Sequence, residues 1–233
     1  MRITSCLLIA SLFASLSSIG EAADSSFVKL FNGADLSGWK GDAEYWSVQD
    51  GAITAKTTAD SKLTKEKYNT FLVWQGGQPA DFELRFKYKI VGGNSGVCYR
   101  SKVIDEAKYI VSGYQADIDA SPKYTGMNYE EKGRTFLAQR GEKVTIGGDG
   151  KKEVEKFGDP AELQSKVKNE DWNEYRVVAK GNHLQHYING VLMSEVIDNQ
   201  KDKAATSGVI ALQAHAGFAM TIQFKDLELK ELK

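Results

Sequence analysis

The stretch DFELRFKYKI, residues 81–90, sets Phe82, Leu84, Phe86, Tyr88 and Ile90 on one side and Glu83, Arg85, Lys87 and Lys89 on the other. Strict alternation is the side-chain period of a strand with one face in a core and one in water, and it does not fit a helix. Short segments of the same kind lie on both sides. TFLVWQ (Thr70 to Gln75) is an apolar strand, and YWSVQDGAITAKT alternates around Asp50-Gly51, a hairpin dipeptide. In VGGNSGVCYRS, glycines precede a strand with Gly96, Cys98 and Arg100 on one side and Val97 and Tyr99 on the other.

Downstream, GEKVTIGGDGKKEVEKF reads as two short strands joined by a Gly-rich turn. WNEYRVVAKGNHLQHYINGVLMSEVID gives strands around Gly181-Asn182, then a hairpin at Asn189-Gly190. GVIALQAH and MTIQFKDLELKEL close the chain. The single helix expected runs from Pro160 to Val167, with Asp159 as N-cap and proline at its first position. About a dozen short strands with frequent turns and no internal repeat predict an all-β fold, an antiparallel β-sandwich. Phe27–Phe31 and Thr221–Leu232 are both strand-like and terminal, so they are expected to pair.

The N-terminus, MRITSCLLIASLFASLSSIGEAAD, has a basic start at Arg2, an apolar stretch from Cys6 to Leu16 and small residues before Asp24. It reads as a secretory signal peptide over residues 1–22, leaving residues 23–233 as one sandwich domain. The mature protein is therefore expected to be exported, periplasmic or secreted. No second apolar run approaches the roughly 20 residues of a membrane span, so no integral membrane segment is expected in the mature chain. Beyond the signal only Cys98 remains, so no internal disulfide is available. The 30 Lys+Arg nearly balance 31 Asp+Glu, which argues against nucleic acid and anionic membranes as partners.

The chemistry is expected between Gly113 and Arg140, GYQADIDASPKYTGMNYEEKGRTFLAQR. In an extended strand Gln115, Asp117 and Asp119 share one face, their carboxylates roughly 6 to 7 Å apart, while Tyr114, Ala116 and Ile118 share the other. Pro122, Gly126 and Gly133 mark a folded-back loop that carries Tyr124, Tyr129, Glu130, Glu131, Arg134 and Arg140. Aromatic, carboxylate and guanidinium groups together suit a sugar. The plainer alternative is a solvated edge whose carboxylates pair with neighbouring Arg and Lys.

Five segments in order resemble the 3-keto-disaccharide hydrolases, a family of secreted bacterial domains: LFNGADLSGWKG, GGNSGVCYRS, GYQADID, DWNEYRVVAKGNHLQHYINGVL and SGVIALQAHAGFAMTIQFKDLELKEL. The resemblance implies a concanavalin A-like jelly roll with a carbohydrate groove on one sheet. It also implies cleavage of an oxidised glycoside. A ketone at C3 acidifies the C2 hydrogen, a modest base removes it, the C1 oxygen leaves, and water adds to the enone. Such a site needs a base near C2, a donor or cation for the enediolate, and an acid at the leaving group.

For those roles the chain offers Asp117 and Asp119 as base or metal ligand, Glu130 as proton donor and His215 as shuttle. Arg100 and Arg134 are expected to hold the enediolate or hydroxyls, with Gln115, Tyr124 and Gln213 as further substrate contacts. Family members often carry an acidic residue just before this histidine, where the present chain has Ala214. A divalent ion on Asp117, Asp119 and His215 is left open, because no HExxH or CxxC spacing supports one. His186 shares parity with Leu184 and Ile188 and reads as hydrogen-bonded and semi-buried; His183 sits at a turn. Trp39, Trp46, Trp74 and Trp172 read more readily as core than as sugar platforms.

Two other functions compete. One is a non-catalytic carbohydrate-binding domain whose carboxylates only accept hydrogen bonds from hydroxyls. The other is an ordinary glycosidase, for which the paired Glu-x-Asp-x-x-Glu pattern of sandwich glucanases is missing.

Overall fold

The computed structural model describes residues 26–233, so the signal-peptide reading lies outside the described residues. Its strands are β1 (Val28–Lys29), β2 (Trp39–Lys40), β3 (Trp46–Gln49), β4 (Ala52–Thr57), β5 (Thr70–Trp74), β6 (Phe82–Val91), β7 (Asn94–Asp105), β8 (Ile110–Asp119) and β9 (Asn128–Glu131). They continue with β10 (Thr135–Ala138), β11 (Glu142–Ile146), β12 (Lys152–Lys156), β13 (Asn173–Lys180), β14 (His183–Ile188), β15 (Val191–Asp198), β16 (Val209–Ala214) and β17 (Met220–Glu231).

Two sheets face each other. One runs β12-β11-β15-β14-β13-β6-β17-β4-β3, with β1 added against β17; the other runs β10-β9-β8-β7-β16-β5-β2. The strand at 82–90 alternates between buried and half-buried throughout. Its inward side chains join those of β8, β13 and β17 in one core, where Phe86 stacks on Tyr175 at 5.2 Å. Burying each such side chain stabilises the fold by roughly 1.5–3 kcal/mol, so the alternation both selects the strand and fixes which face is outside. The terminal strands pair as expected, Val28 opposite Leu229. The Asp50-Gly51 and Asn189-Gly190 turns take the positive φ values a tight hairpin requires, 51° and 70° in the first and 50° and 80° in the second.

The helix is shorter than expected, α1 over Pro160–Gln164, and Asp159 caps it by accepting from the Ala161 and Glu162 amides. A 3₁₀ turn at Lys62–Lys65 was not anticipated. One pair breaks the antiparallel rule: β11 runs parallel to β15. Trp39 and Trp46 are core residues. His186 is fully rather than partly buried; its ring bonds the Tyr99 hydroxyl at 2.9 Å, and burial pushes its pKa down to about 3.

The seven-stranded sheet carries functional groups on its outer face. Tyr114, Ala116 and Ile118 of β8 enter the core, which turns Gln115 and Asp117 out on the other side. Part of that outer face is apolar, built from Phe71, Val73, Cys98, Val111 and Ala211. Beside it the polar side chains line a cleft.

Candidate active site

The cleft encloses about 820 Å³. Its floor comes from β7, β8 and β16, its one wall from β9, β10 and the loop at 120–127, and its other side from the turn after β16. Gly96 lies opposite Asp117 in the β7–β8 pair. A Cβ there would sit 2.7 Å from two carbons of the Gln115 side chain, so a glycine is what lets Gln115 lie flat across the floor.

Gln115 is the hub of the floor. Its Oε1 accepts from Gln213 Nε2 at 2.9 Å and from Cys98 Sγ at 3.2 Å, and its Nε2 donates to Asp117 Oδ1 at 2.7 Å. Ser95 Oγ fixes β16 by donating to the Gln213 carbonyl. Asp117 is 4% exposed, and its second oxygen has no protein donor among the described residues. Burial drives the Asp117 carboxyl well above the ordinary range. The Gln115 amide opposes that shift, while the neighbouring charges of Asp119 and Glu131 reinforce it. A carboxyl raised in this way is a stronger base than an ordinary aspartate.

Glu131 is a second buried cleft carboxylate. Burial raises its pKa against the pull of Lys132 and of Asn69, whose Nδ2 donates to it at 3.4 Å. The same Asn69 accepts from the Ala216 amide, tying this acid to the turn that bears His215. His215 Nδ1 lies 2.6 Å from the Ala216 carbonyl, so the proton is on Nδ1 and Nε2 is the basic nitrogen. Burial lowers the His215 pKa, against the Ala216 carbonyl and the charge of Asp119. Asp119 also borders the cleft but is engaged in a turn, accepting from the Ser121 amide at 2.8 Å. Thr125 Oγ1 both accepts from the Asp119 amide and donates to its carbonyl, which closes the loop carrying Tyr124.

Of the residues expected in the site, Asp117, Asp119, Gln115, Gln213, Tyr124 and His215 all line this cleft. Glu130, Arg134 and Arg100 do not. Glu130 pairs with Tyr114 across β8 and β9 and therefore follows that inward residue. It is held by Arg134, whose Nε and Nη2 donate to its two oxygens at 2.8 and 3.0 Å, while Nη2 and Nη1 reach Asp198 at 2.6 and 3.0 Å. Arg100 leaves the parity of Gly96 and Cys98 because its φ is 46° and the β7–β8 register shifts beside it. Its guanidinium is buried against the Ala80 and Gly181 carbonyls and Asp81, pinning strand ends together. Arg140 is likewise structural, donating to the carbonyls of Pro122, Thr125 and Pro160.

The sequence gives no sign of Asn69, and it places Glu131 and Tyr129 in the loop without a role. Glu131 and Tyr129 share a parity that only the β8–β9 register reveals, Gln115 standing opposite Tyr129. Asn69 precedes its strand and gives no local signal. Among the described residues no group of three or more His, Cys, Asp and Glu side chains converges as a metal-binding set, so Asp117, Asp119 and His215 do not form the ligand trio left open above.

A jelly-roll sandwich with amides, carboxyls and aromatic rings in an open cleft on one sheet is an architecture that lectin domains share. Residues 26–230 match the 3-keto-alpha-glucoside-1,2-lyase-like domain, and the chain belongs to that family. No curated relative matches the sequence. Among solved structures, a candidate glycosyl hydrolase from Parabacteroides distasonis aligns with a TM-score of 0.57 at 19% identity, covering 89% of this chain and 94% of its own. The carbohydrate-binding module CBM66 from Bacillus subtilis aligns with a TM-score of 0.53 at 14% identity, over 83% of this chain and 96% of its own. At such identities the likeness is one of fold.

Proposed function

We propose that this protein is an exported enzyme that cleaves 3-keto-glycosides by elimination and hydration. The observation that carries the reading is Asp117: a carboxyl at the cleft floor, buried, held at one oxygen by Gln115 and raised in pKa. Removing the C2 hydrogen beside a ketone asks for a base of that strength, and general base catalysis at such a step contributes about 10²–10⁴-fold. The bond from C2 to hydrogen breaks, its electrons form the enediolate on C3, and collapse of that enediolate expels the C1 oxygen. Water then adds at C1 and a proton returns to C2.

Glu131, protonated at neutral pH to a greater extent than an ordinary glutamate, supplies the acid for the departing oxygen. The cations available to the C3 oxygen are Lys67 and Lys132, both on the cleft, in place of the guanidinium groups that lie elsewhere. His215 borders the same space as a neutral imidazole, and its Nε2 can accept a proton from the water that adds.

The test compares p-nitrophenol release from p-nitrophenyl 3-keto-glucoside and from the unoxidised glucoside, for the wild type and Asp117→Asn, with circular dichroism to confirm folding. Cleavage of the keto substrate alone, reduced at least a hundredfold in the variant, is expected. Equal turnover by Asp117→Asn removes Asp117 from the mechanism. Saturable binding without any product would leave the non-catalytic carbohydrate domain.

A further inference from the structure

Three aromatic rings form one wall of the cleft. Tyr129 meets Phe136 edge to face at 5.0 Å, and Phe136 stacks on Tyr124 at 5.3 Å with 22° between the planes. All three line the cleft, all are half-buried, and none belongs to either core cluster. Lys123 lies over the Tyr124 ring at 4.7 Å, at the outer end of the wall.

The backbone that carries Phe136 is distorted on both sides. Thr135 has a φ of 65°, a left-handed conformation that a β-branched residue rarely adopts. The β9–β10 register then shifts between Phe136 and Ala138. Bulges beside sites re-aim side chains, and here the result is that Leu137 and Ala138 are buried while Phe136 stays on the cleft. Core packing does not explain a strained threonine that turns an aromatic ring out of the sandwich.

From these observations we infer that the wall Tyr129–Phe136–Tyr124 is the leaving-group subsite, built for a glycoside whose C1 substituent is itself a ring. The inference rests on the proposed reaction. Tyr129 stands opposite Gln115, whose Nε2 donates to Asp117, so the wall begins beside the base. The oxidised ring must lie over Asp117 with C2 at the base. If that ring is the terminal one, everything beyond it is attached through C1 and runs along the wall. The partner is therefore a ring with a flat apolar face, either a second pyranose or an aryl group, and a small alkyl leaving group would leave Phe136 uncovered.

The experiment measures kcat/KM of the wild type, Phe136→Ala and Phe136→Tyr on methyl 3-keto-glucoside, p-nitrophenyl 3-keto-glucoside and a 3-keto-glucosyl-glucose disaccharide. Each variant is compared with the wild type on the same substrate, which cancels leaving-group acidity. Phe136→Ala is expected to lose about tenfold on the ring-bearing substrates and less than threefold on the methyl glycoside, with Phe136→Tyr restoring the difference. A loss on only one of the ring substrates identifies which kind of ring the wall accepts. Equal loss on all three, or none on any, overturns the subsite. If the wild type turns over none of them, the reaction is wrong, and calorimetry with unoxidised p-nitrophenyl glucoside and a glucosyl-glucose decides the subsite alone. Binding weakened by Phe136→Ala upholds it, and no wild-type binding at millimolar ligand overturns it.

Discussion

Replacing Arg134 with methionine keeps the aliphatic stem and deletes a guanidinium that serves two carboxylates at once. Glu130 and Asp198 are 8% and 2% exposed, and Arg134 holds both through four contacts between 2.6 and 3.0 Å. Without it, Glu130 and Asp198 are left buried together with no cation between them, and breaking such an arrangement costs about 3–5 kcal/mol. For a domain of this size that is a fall in Tm of roughly 6–20 °C.

The pH dependence follows from Asp198. Burial pushes its pKa up, but hydrogen bonds from Arg134 and from the Tyr114 hydroxyl outweigh burial and leave it below the ordinary value. A depressed carboxylate stabilises the fold above its unfolded pKa and loses that contribution as the pH falls through the folded value. In Arg134→Met only the Tyr114 hydroxyl and the Gln200 amide are left to oppose burial, so the depression shrinks and the gap between variant and wild type narrows from pH 7 towards pH 3. Urea unfolding followed by tryptophan fluorescence measures both. Because Arg134 lies off the cleft, kcat/KM per folded molecule should change less than threefold. A stability loss under about 1 kcal/mol at pH 7, or a collapse of activity in folded protein, would refute the assignment of Arg134 to scaffold rather than site. Adding Glu130→Gln and Asp198→Asn should recover part of the loss, since it removes the stranded charges.

Asp117→Asn should raise Tm at pH 8 and give no gain at pH 4. A carboxyl whose folded pKa is raised loses stability as pH climbs from its unfolded value through its folded one, and asparagine avoids that loss while still accepting from Gln115; differential scanning calorimetry at the two pH values decides. Glu131→Gln removes the acid proposed for the departing oxygen, so kcat/KM should fall far more on methyl 3-keto-glucoside, whose leaving group needs a proton, than on the p-nitrophenyl substrate, and equal loss on both would take Glu131 out of that role. Gly96→Ala drives a methyl into Gln115, which should destabilise by about 1–3 kcal/mol and lower activity more than tenfold, while Gly96→Ser should be no better; a crystal structure with Gln115 undisturbed would contradict this.

The fold was legible where a local period or a turn dipeptide determines it. Phe82 to Ile90 alternate because one sheet face is buried, Asp50-Gly51 and Asn189-Gly190 reverse the chain because they tolerate positive φ, and Asp159 caps a helix whose first residue is proline. The parallel β11–β15 pair was not legible, since nothing in either strand states its partner. In the site, parity within β8 correctly brought Gln115 and Asp117 to one face, because that strand has no irregularity between them. Choosing Glu130 over Glu131 failed because two adjacent glutamates have opposite parities, and only the pairing of Tyr114 with Glu130 says which is inside. Arg100 failed for a different reason: a left-handed residue and a register shift interrupt the alternation from which its face was inferred.

The central claim is that C2 loses its hydrogen during cleavage, and isotope incorporation tests it most directly. p-Nitrophenyl 3-keto-glucoside is converted in deuterium oxide to low extent, and the released 3-keto-glucose and the recovered substrate are compared by mass spectrometry and proton NMR. Elimination and hydration predict one deuterium at C2 of the product for each turnover, beyond any exchange in the recovered substrate, and no product from the unoxidised glucoside. Product that retains hydrogen at C2 would contradict elimination and indicate direct displacement at C1.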